Sequence, residues 1–376
     1  MNALIIDGSV LEGGGQILRN SISLSALLGK PISIQKVRNG RKPPGLKNQH
    51  RTGIELAAEI ASARLTGATN GSSTVEFSPG QITPGDYAAD PVTAGAATLL
   101  LQISLPILLF APSAAPSKLT LKGGTNATMA PQIDYIQHIF LPFARRHFGL
   151  KAEVDVLTRG YFPRGGGNVL VTIPPGVPGA KLTAASVLER GAITRIGGIA
   201  HLAGLPTHLG QKMADSALRR LAQNGLAPDA PVPVPVEIEC RRERNDNTPG
   251  AGSGIVLWAE LAGGGMIGGS AVGNKKKDAV TVGEEAADEL IKGLEAGGCV
   301  DEWLEDQIII LMALAEGTSE VRCGKNGLTL HTKTAIWVAE QLTDAKFDLT
   351  VEDSGNTIIR CKGIGYTAAA PEEGLK

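Results

Sequence analysis

Apolar positions along the first half of the chain switch repeatedly between two periods. Residues 4–6 form a short apolar run ended by a turn, which predicts a strand. Over residues 16–28, Ile17, Leu18, Ile22, Leu24, Leu27 and Leu28 recur at helical spacing and Gly29 closes the run, which predicts a helix. The same reading gives a strand at 31–37, a long amphipathic helix at 46–65 and an alternating strand at 73–77. It then gives a strand at 118–121, a helix at 131–148 and a strand at 152–157. Residues 94–110 are apolar on every side and predict a buried helix that kinks or ends near Pro106. The run is borderline in length for a membrane span, but Gln102, Ser104 and Pro106 within it favour a buried helix. Strands alternating with helices predict an α/β protein with helices packed on sheets.

The order of elements suggests three repeated units, with glycine-bearing turns near their boundaries at 13–15, 123–124 and 165–167. A Pro/Gly segment at 174–179 reads as a linker. Beyond it the pattern changes: 231–235 is extended by its prolines, 236–240 is a strand, a loop runs to Gly254, and 284–296 is a helix. Core-like patterning returns at 301–315. We therefore expect a large unit of residues 1–184 and 298–376 carrying an inserted α/β domain at 185–297. Residues 368–376 carry no periodic pattern.

Composition narrows the class. The chain has 376 residues, 43% hydrophobic and 19% charged, as soluble globular proteins do. A formal net charge of −1 and 4% aromatic residues argue against a protein that coats nucleic acid, but leave room for a local basic groove. Cys240, Cys299, Cys323 and Cys361 form no C-x-x-C pair, so neither a zinc site nor a disulfide framework is expected, and reduced thiols suit an intracellular setting. The short apolar start lacks the features of a signal peptide. Lys275-Lys276-Lys277 is too short and too close to Asp278 to mark a nuclear protein.

Four segments carry candidate chemistry. Glu12-Gly-Gly-Gly-Gln-Ile-Leu-Arg19 places a glycine run ahead of a helix, where free N–H groups attract anions, and Glu12 is suited to a phosphate-bridging divalent metal. A plain strand-to-helix turn would look similar. The stretch from Arg38 through Arg41, Lys47, Gln49 and His50 to Arg51 is the most basic in the chain, and its prolines and glycines stiffen the loop that presents the arginines. Arg159-Gly-Tyr-Phe-Pro-Arg-Gly-Gly-Gly-Asn-Val169 lies between two strands and reads locally as a hairpin of unusual geometry. His331 stands just before a helix expected at 335–342, with Thr332 as its cap; positive potential there favours the neutral, nucleophilic imidazole. His138, His147, His201 and His208 have no such context. Arg241, Arg242 and Arg244 read as a solvated face.

Together these segments resemble the RNA 3′-terminal phosphate cyclase family over nearly the whole chain. Residues 159–169 fit the signature Arg/His-Gly-x-x-Pro-x-Gly-Gly-Gly-x-Leu/Ile/Val, and 12–19 match an E-G-G-G-Q-x-x-R opening. Arg38-x-x-Arg41 followed by Pro-Gly and Gln49-His50 matches the family's basic loop, and Gln102 falls on its helix glutamine. Gly123-Gly124-Thr125 with Pro131 and Asp134 looks like its nucleotide-binding segment, and Trp303 with Asp306-Gln307 matches an aromatic-x-x-Asp-Gln element. The resemblance implies three α/β units, each similar to the C-terminal domain of translation initiation factor 3, with a smaller domain inserted after the third unit begins.

It also implies a reaction: ATP and a divalent cation, Mg²⁺ or Mn²⁺, convert an RNA 3′-phosphate to a 2′,3′-cyclic phosphate through AMP carried on a histidine. By resemblance His331 is the nucleophile and Glu12 the metal ligand, while Arg19, Arg38, Arg41 and Gln49 bind phosphates or the RNA end. Gln102, Pro131, Asp134, Trp303, Asp306 and Gln307 are expected at the nucleotide, with Asp306 alternatively orienting His331. The partner is an RNA with a 3′-terminal phosphate, without a membrane, and the location is intracellular: nuclear in a eukaryote, cytoplasmic in a prokaryote. Non-catalytic relatives in ribosome assembly and enolpyruvyl-type transferases of similar fold are the alternatives. The presence of Glu12 and His331 favours the enzyme.

Overall fold

The computed structural model describes residues 3–367. Its chain runs β1 (Leu4–Asp7), α1 (Gly15–Leu28), β2 (Ile32–Gln35), α2 (Asn48–Ile60), β3 (Arg64–Thr66) and β4 (Val75–Ser78). These strands form one sheet in the order β1-β2-β4-β3. The pattern then repeats: β5 (Asp86–Ala89), α3 (Ala97–Leu109), β6 (Ser117–Gly123), α4 (Ile133–Tyr135) leading through a π-helical turn (Ile136–Phe140) into α5 (Leu141–Phe148), β7 (Glu153–Thr158) and β8 (Gly167–Ile173). Their order, β5-β6-β8-β7, is the same.

A third unit opens with β9 (Ser186–Val187) and is interrupted by β10 (Ile193–Ala203), α6 (Thr207–Gln223), β11 (Val236–Arg242), β12 (Gly252–Leu261), β13 (Met266–Val272) and α7 (Ala279–Glu295). It resumes with α8 (Glu302–Leu314), β14 (Thr318–Arg322), α9 (Leu330–Leu342), β15 (Lys346–Val351) and β16 (Thr357–Lys362). Read from its other edge, that sheet runs β9-β14-β16-β15, the plan of the first two. In each unit the first pair of strands is parallel and the remaining pairs are antiparallel. The repeat expected from element order is therefore a repeat of topology, and the protein is α/β. The interrupting segment forms its own sheet, β11-β10-β12-β13, with a separate core. Because β9 pairs with β14, residues 186 and 187 belong to the large unit, not to the insertion expected to begin at 185.

The first helix of each unit is the most deeply set. In α3, Leu100, Leu101, Ile103, Leu105, Ile107 and Leu108 are all buried, as are Ile308 to Leu314 in α8. Each such side chain contributes about 1.5–3 kcal/mol of transfer free energy. Tertiary burial of this kind carries α3 past Pro106, where the sequence predicted a kink or an end, on to Leu109. The helix begins at Ala97 instead of Ala94 because the Ala97 N–H bonds the Gly124 carbonyl, while the Gly124 N–H bonds Gly95. Among the described residues no helix is long and apolar enough to cross a membrane.

Other boundaries differ for local reasons. The helix expected to 65 stops at Ile60; Ser62 turns through φ 45° and Leu65 pairs with Phe77 as an edge strand. The apolar Leu65 suited both periods, and pairing decided. The helix expected over 131–148 starts at Ile133, since the Pro131 carbonyl accepts the Thr98 hydroxyl at 2.8 Å. Its π turn precedes Pro142, whose missing N–H and bulky ring would crowd the carbonyl four residues back in a regular helix. The helix expected at 284–296 runs from Ala279 to Glu295, started by Asp278, whose carboxylate accepts the Thr281 N–H.

Candidate functional site

Helix N-termini from all three units open onto one cleft of about 490 Å³. The lining comes from the starts of α1, α2, α3, α8 and α9, together with the loop 128–131 ahead of α4. The positive ends of these helices therefore converge, which suits an anionic ligand. Glu12, Arg19, Arg38, Arg41, Gln49, Gln102, Pro131, Trp303, Asp306 and His331, all singled out in the sequence, line this space. Asp134 and Gln307 do not. Lys47, His50 and Gln16 line it as well, although the sequence assigned them no role.

The glycine opening brings a carboxylate against the backbone. A Cβ on Gly14 would lie 1.9 Å from Glu12 Oε1, so only glycine admits the carboxylate at that position. Arg41 donates to Glu12 Oε1 and, at 3.1 Å, to its carbonyl. Among the described residues Glu12 Oε2 is buried without a partner. Arg19 donates to Gln16 Oε1, and its buried Nε has no acceptor among the described residues. Burial lowers the pKa of Arg19, opposed by Asp306 and Glu12. A half-buried guanidinium with a free donor, facing a cleft, is suited to an incoming anion. Arg38 differs: its Nη1 bonds the Pro43 carbonyl at 3.2 Å and the Gly45 carbonyl at 2.7 Å, so part of it holds the basic loop in shape.

His331 occupies the first turn of α9 and not the loop before it. The helix begins at Leu330, five residues earlier than expected, and its cap is Thr329 in place of Thr332. The Thr329 hydroxyl accepts the Thr332 N–H at 3.0 Å. Glu305 on α8 fixes the same turn, accepting the Thr332 hydroxyl at 2.5 Å and the Thr329 N–H at 3.2 Å. The His331 side chain is 51% exposed, with Nδ1 4.0 Å from Asp306 Oδ2. That separation is longer than a hydrogen bond. Partial burial lowers the His331 pKa; Glu12 opposes this, and Arg19 and Arg41 add to it. Burial pushes Asp306 up to about 8, against the pull of Arg19. At neutral pH the pair is thus a neutral imidazole beside a protonated carboxyl.

His50 is held at about 3 by burial, with Arg19, Arg38 and Lys47 adding repulsion. Its Nδ1 accepts the Lys47 N–H at 3.3 Å, so the neutral ring carries its proton on Nε2. The signal for His50 was its place in the basic stretch beside Gln49. Periodicity alone does not tell which side of α2 faces the cleft.

Asp134 lies outside the cleft. Its carboxylate is fully buried and bonds Arg159 through Oδ2–Nη1 and Oδ1–Nη2, both 2.7 Å. Arg159 also donates from Nε to Glu243 at 2.8 Å, and Asn126 Nδ2 donates to Asp134 at 3.0 Å. Asn126 further donates to Gln132 Oε1 at 2.9 Å, and Gln132 reaches carbonyls of Ile255 and Ala271 in the inserted unit. His201 Nε2 bonds Gln132 Oε1 at 2.9 Å and Tyr161 donates to His201 Nδ1 at 2.8 Å, which makes His201 the Nε2–H tautomer. This network anchors the inserted unit and both ends of the loop 128–131 that walls the cleft. Gln307 sits behind the cleft, its amide donating to the Trp303 carbonyl at 2.7 Å.

Trp303 is itself tethered to the insertion. Its indole N–H donates to Glu289 on α7 at 3.0 Å. Asp301 caps α8 by accepting the Trp303 N–H at 2.8 Å, and also accepts the Tyr135 hydroxyl at 2.7 Å and the Gly268 N–H at 2.6 Å. The ring that lines the cleft therefore has its position fixed from both units.

Comparison with known proteins places this geometry in context. A sequence model described as RNA 3′-terminal phosphate cyclase matches residues 10–349. A protein of that name from Pyrobaculum aerophilum is 40% identical over 364 residues, covering 97% of this chain and 99% of the relative. One from Drosophila melanogaster is 40% identical over 364 residues, covering 96% and 97%. One from Pyrococcus furiosus is 39% identical over 346 residues, covering 92% and 95%.

Proposed function

Because this chain belongs to the RNA 3′-terminal phosphate cyclase family, we propose that it converts an RNA 3′-phosphate to a 2′,3′-cyclic phosphate at the expense of ATP, through AMP carried on His331. The observation that carries this reading is the half-exposed, neutral His331 on the first turn of α9, in a cleft where, among the described residues, Arg19 Nε keeps an unpartnered donor.

In the first step Nε2 of His331 attacks the α-phosphorus of ATP. A P–N bond forms, the bond to the bridging oxygen breaks, and pyrophosphate leaves with the electron pair. The proton on Nδ1 faces Asp306, whose carboxyl, once ionised and drawn closer than 4.0 Å, would stabilise the cationic ring. In the second step an oxygen of the RNA 3′-phosphate attacks the same phosphorus, and the P–N electrons return to Nε2. In the third the vicinal 2′-hydroxyl gives its proton to solvent water and attacks the 3′-phosphorus. AMP departs and the cyclic ester remains. Splitting the reaction this way replaces a poor leaving group with AMP.

Arg19, Arg41 and Lys47 would balance the phosphate charge, and His50 would donate from Nε2. A divalent cation fits Glu12, whose Oε2 is buried and unpartnered. Among the described residues no group of three or more His, Cys, Asp or Glu could hold a metal alone, so phosphate oxygens and water would complete the shell. Magnesium or manganese there would neutralise the triphosphate. Free thiols at Cys240, Cys299, Cys323 and Cys361 support an intracellular setting for this chemistry.

The test is label transfer from ATP labelled at the α-phosphate, with a divalent metal, to wild type and His331→Ala. Acid-labile, alkali-stable label on wild type alone is expected. Wild type that binds ATP yet retains no label would sink the covalent step and favour the non-catalytic relatives.

A further inference from the structure

A second depression runs from the cleft across the face shared by the first two units. It encloses about 790 Å³, and it shares Lys47 and Gln49 with the cleft, so the two are continuous. Asn48 and Asn70 line one side; Thr93 and Phe162 line the other. Among the described residues no carboxylate lines it. Resting on the function proposed above, we infer that this groove holds the nucleotides on the 5′ side of the RNA terminus, with a base stacked on Phe162.

The segment that supplies Phe162 is built to present it. Tyr161 is buried and tied to His201, while the next side chain, Phe162, is 82% exposed. Gly165, at φ 66°, packs so closely on the opposite loop that a Cβ would lie 2.8 Å from the Thr93 carbonyl. Phe162 therefore projects from a braced turn. A single exposed apolar side chain is ordinary, but Met129 on the cleft wall and Val92 beside Thr93 are each 86% exposed as well. Val92 is also held at φ 56°, a strained conformation for a β-branched residue.

Chemistry selects the occupant. A 3′-phosphate bound among the arginines must lead its strand out, and Lys47 and Gln49 mark a continuous way. Single-stranded RNA is recognised by aromatic stacking and by hydrogen bonds along unpaired bases, and its phosphates favour a groove without negative charge. A lysine, three side-chain amides and an exposed aromatic ring meet those needs. Phe162 and Tyr161 occupy the unconstrained positions of the Arg159 signature, so this stacking residue belongs to this chain and not to the signature.

The test is equilibrium binding of a fluorescent, 3′-phosphorylated, single-stranded RNA decamer, and of a dinucleotide with the same end, to wild type, Phe162→Ala and Phe162→Trp. Removing the ring should weaken decamer binding by about tenfold, within the range for one base stack. Phe162→Trp should restore it, the dinucleotide should bind all three alike, and histidine labelling by ATP should be unchanged. Decamer affinity equal in wild type and Phe162→Ala, or an equal loss for both RNAs, would overturn the inference. Binding is read without turnover, so failure of the covalent mechanism appears separately, as absent label on a wild type that still discriminates the decamer.

Discussion

Arg159 grips Asp134 through two parallel hydrogen bonds of 2.7 Å each, both residues being almost completely removed from solvent. The most recognisable segment of the sequence thus begins with a structural ion pair. Deleting one partner of such a pair leaves the other charge buried and uncompensated, at a cost of about 3–5 kcal/mol. Asp134→Ala and Arg159→Ala should each lose about that much in denaturant unfolding, and the double variant should lose clearly less than the sum. Strict additivity would show that the two side chains do not interact.

Gly14→Ala should disable the site without unfolding the protein. The new Cβ would fall 1.9 Å from Glu12 Oε1, forcing the carboxylate away from Arg41 and from any bound cation. Displacement of this order costs about 100-fold in rate. Gly40→Ala, where a Cβ meets nothing within 4 Å, is the control. Measured label-transfer rates that fall equally in both variants would refute the steric account.

Thr332→Val removes the hydroxyl that Glu305 accepts at 2.5 Å while keeping the side chain's shape. An unsatisfied buried partner costs about 1–3 kcal/mol of stability. Because that bond fixes the turn carrying His331, the labelling rate should fall more than the affinity for ATP. A variant that loses ATP affinity in parallel with rate would argue for a merely general loosening.

The pH profile of labelling follows from the two shifts at the nucleophile. The His331 pKa lies below 6.5, so the neutral ring persists at pH values where free histidine is already protonated, and rate should decline only in more acid solution. Asp306 is raised to about 8, so a second increase is expected as pH passes that value and the ionised carboxylate supports the ring. Asp306→Asn should abolish this upper limb. An unchanged limb in the variant would remove Asp306 from the mechanism.

Period and punctuation alone made much of the architecture legible. Apolar spacing located α1, Gly29 ended it, and the recurrence of element order foreshadowed the threefold β-α-β plan, because these features depend on neighbours within a few residues. Spacing and loop chemistry likewise pointed to the segments of Glu12, Arg19, Arg41 and His331, which the structure brings to one cleft. Packing decided the rest. Whether Pro106 ended α3 depended on a core formed by distant chain, and whether Leu65 continued a helix depended on its partner Phe77. Asp134 was expected at the nucleotide through the family resemblance of its segment, and a matching motif carries no record of a residue's partner. Arg159, twenty-five residues away in sequence, drew it inward. A sequence determines which groups are available and how the chain bends locally. Only the tertiary structure determines which of them lose water to one another and which remain free to meet a substrate.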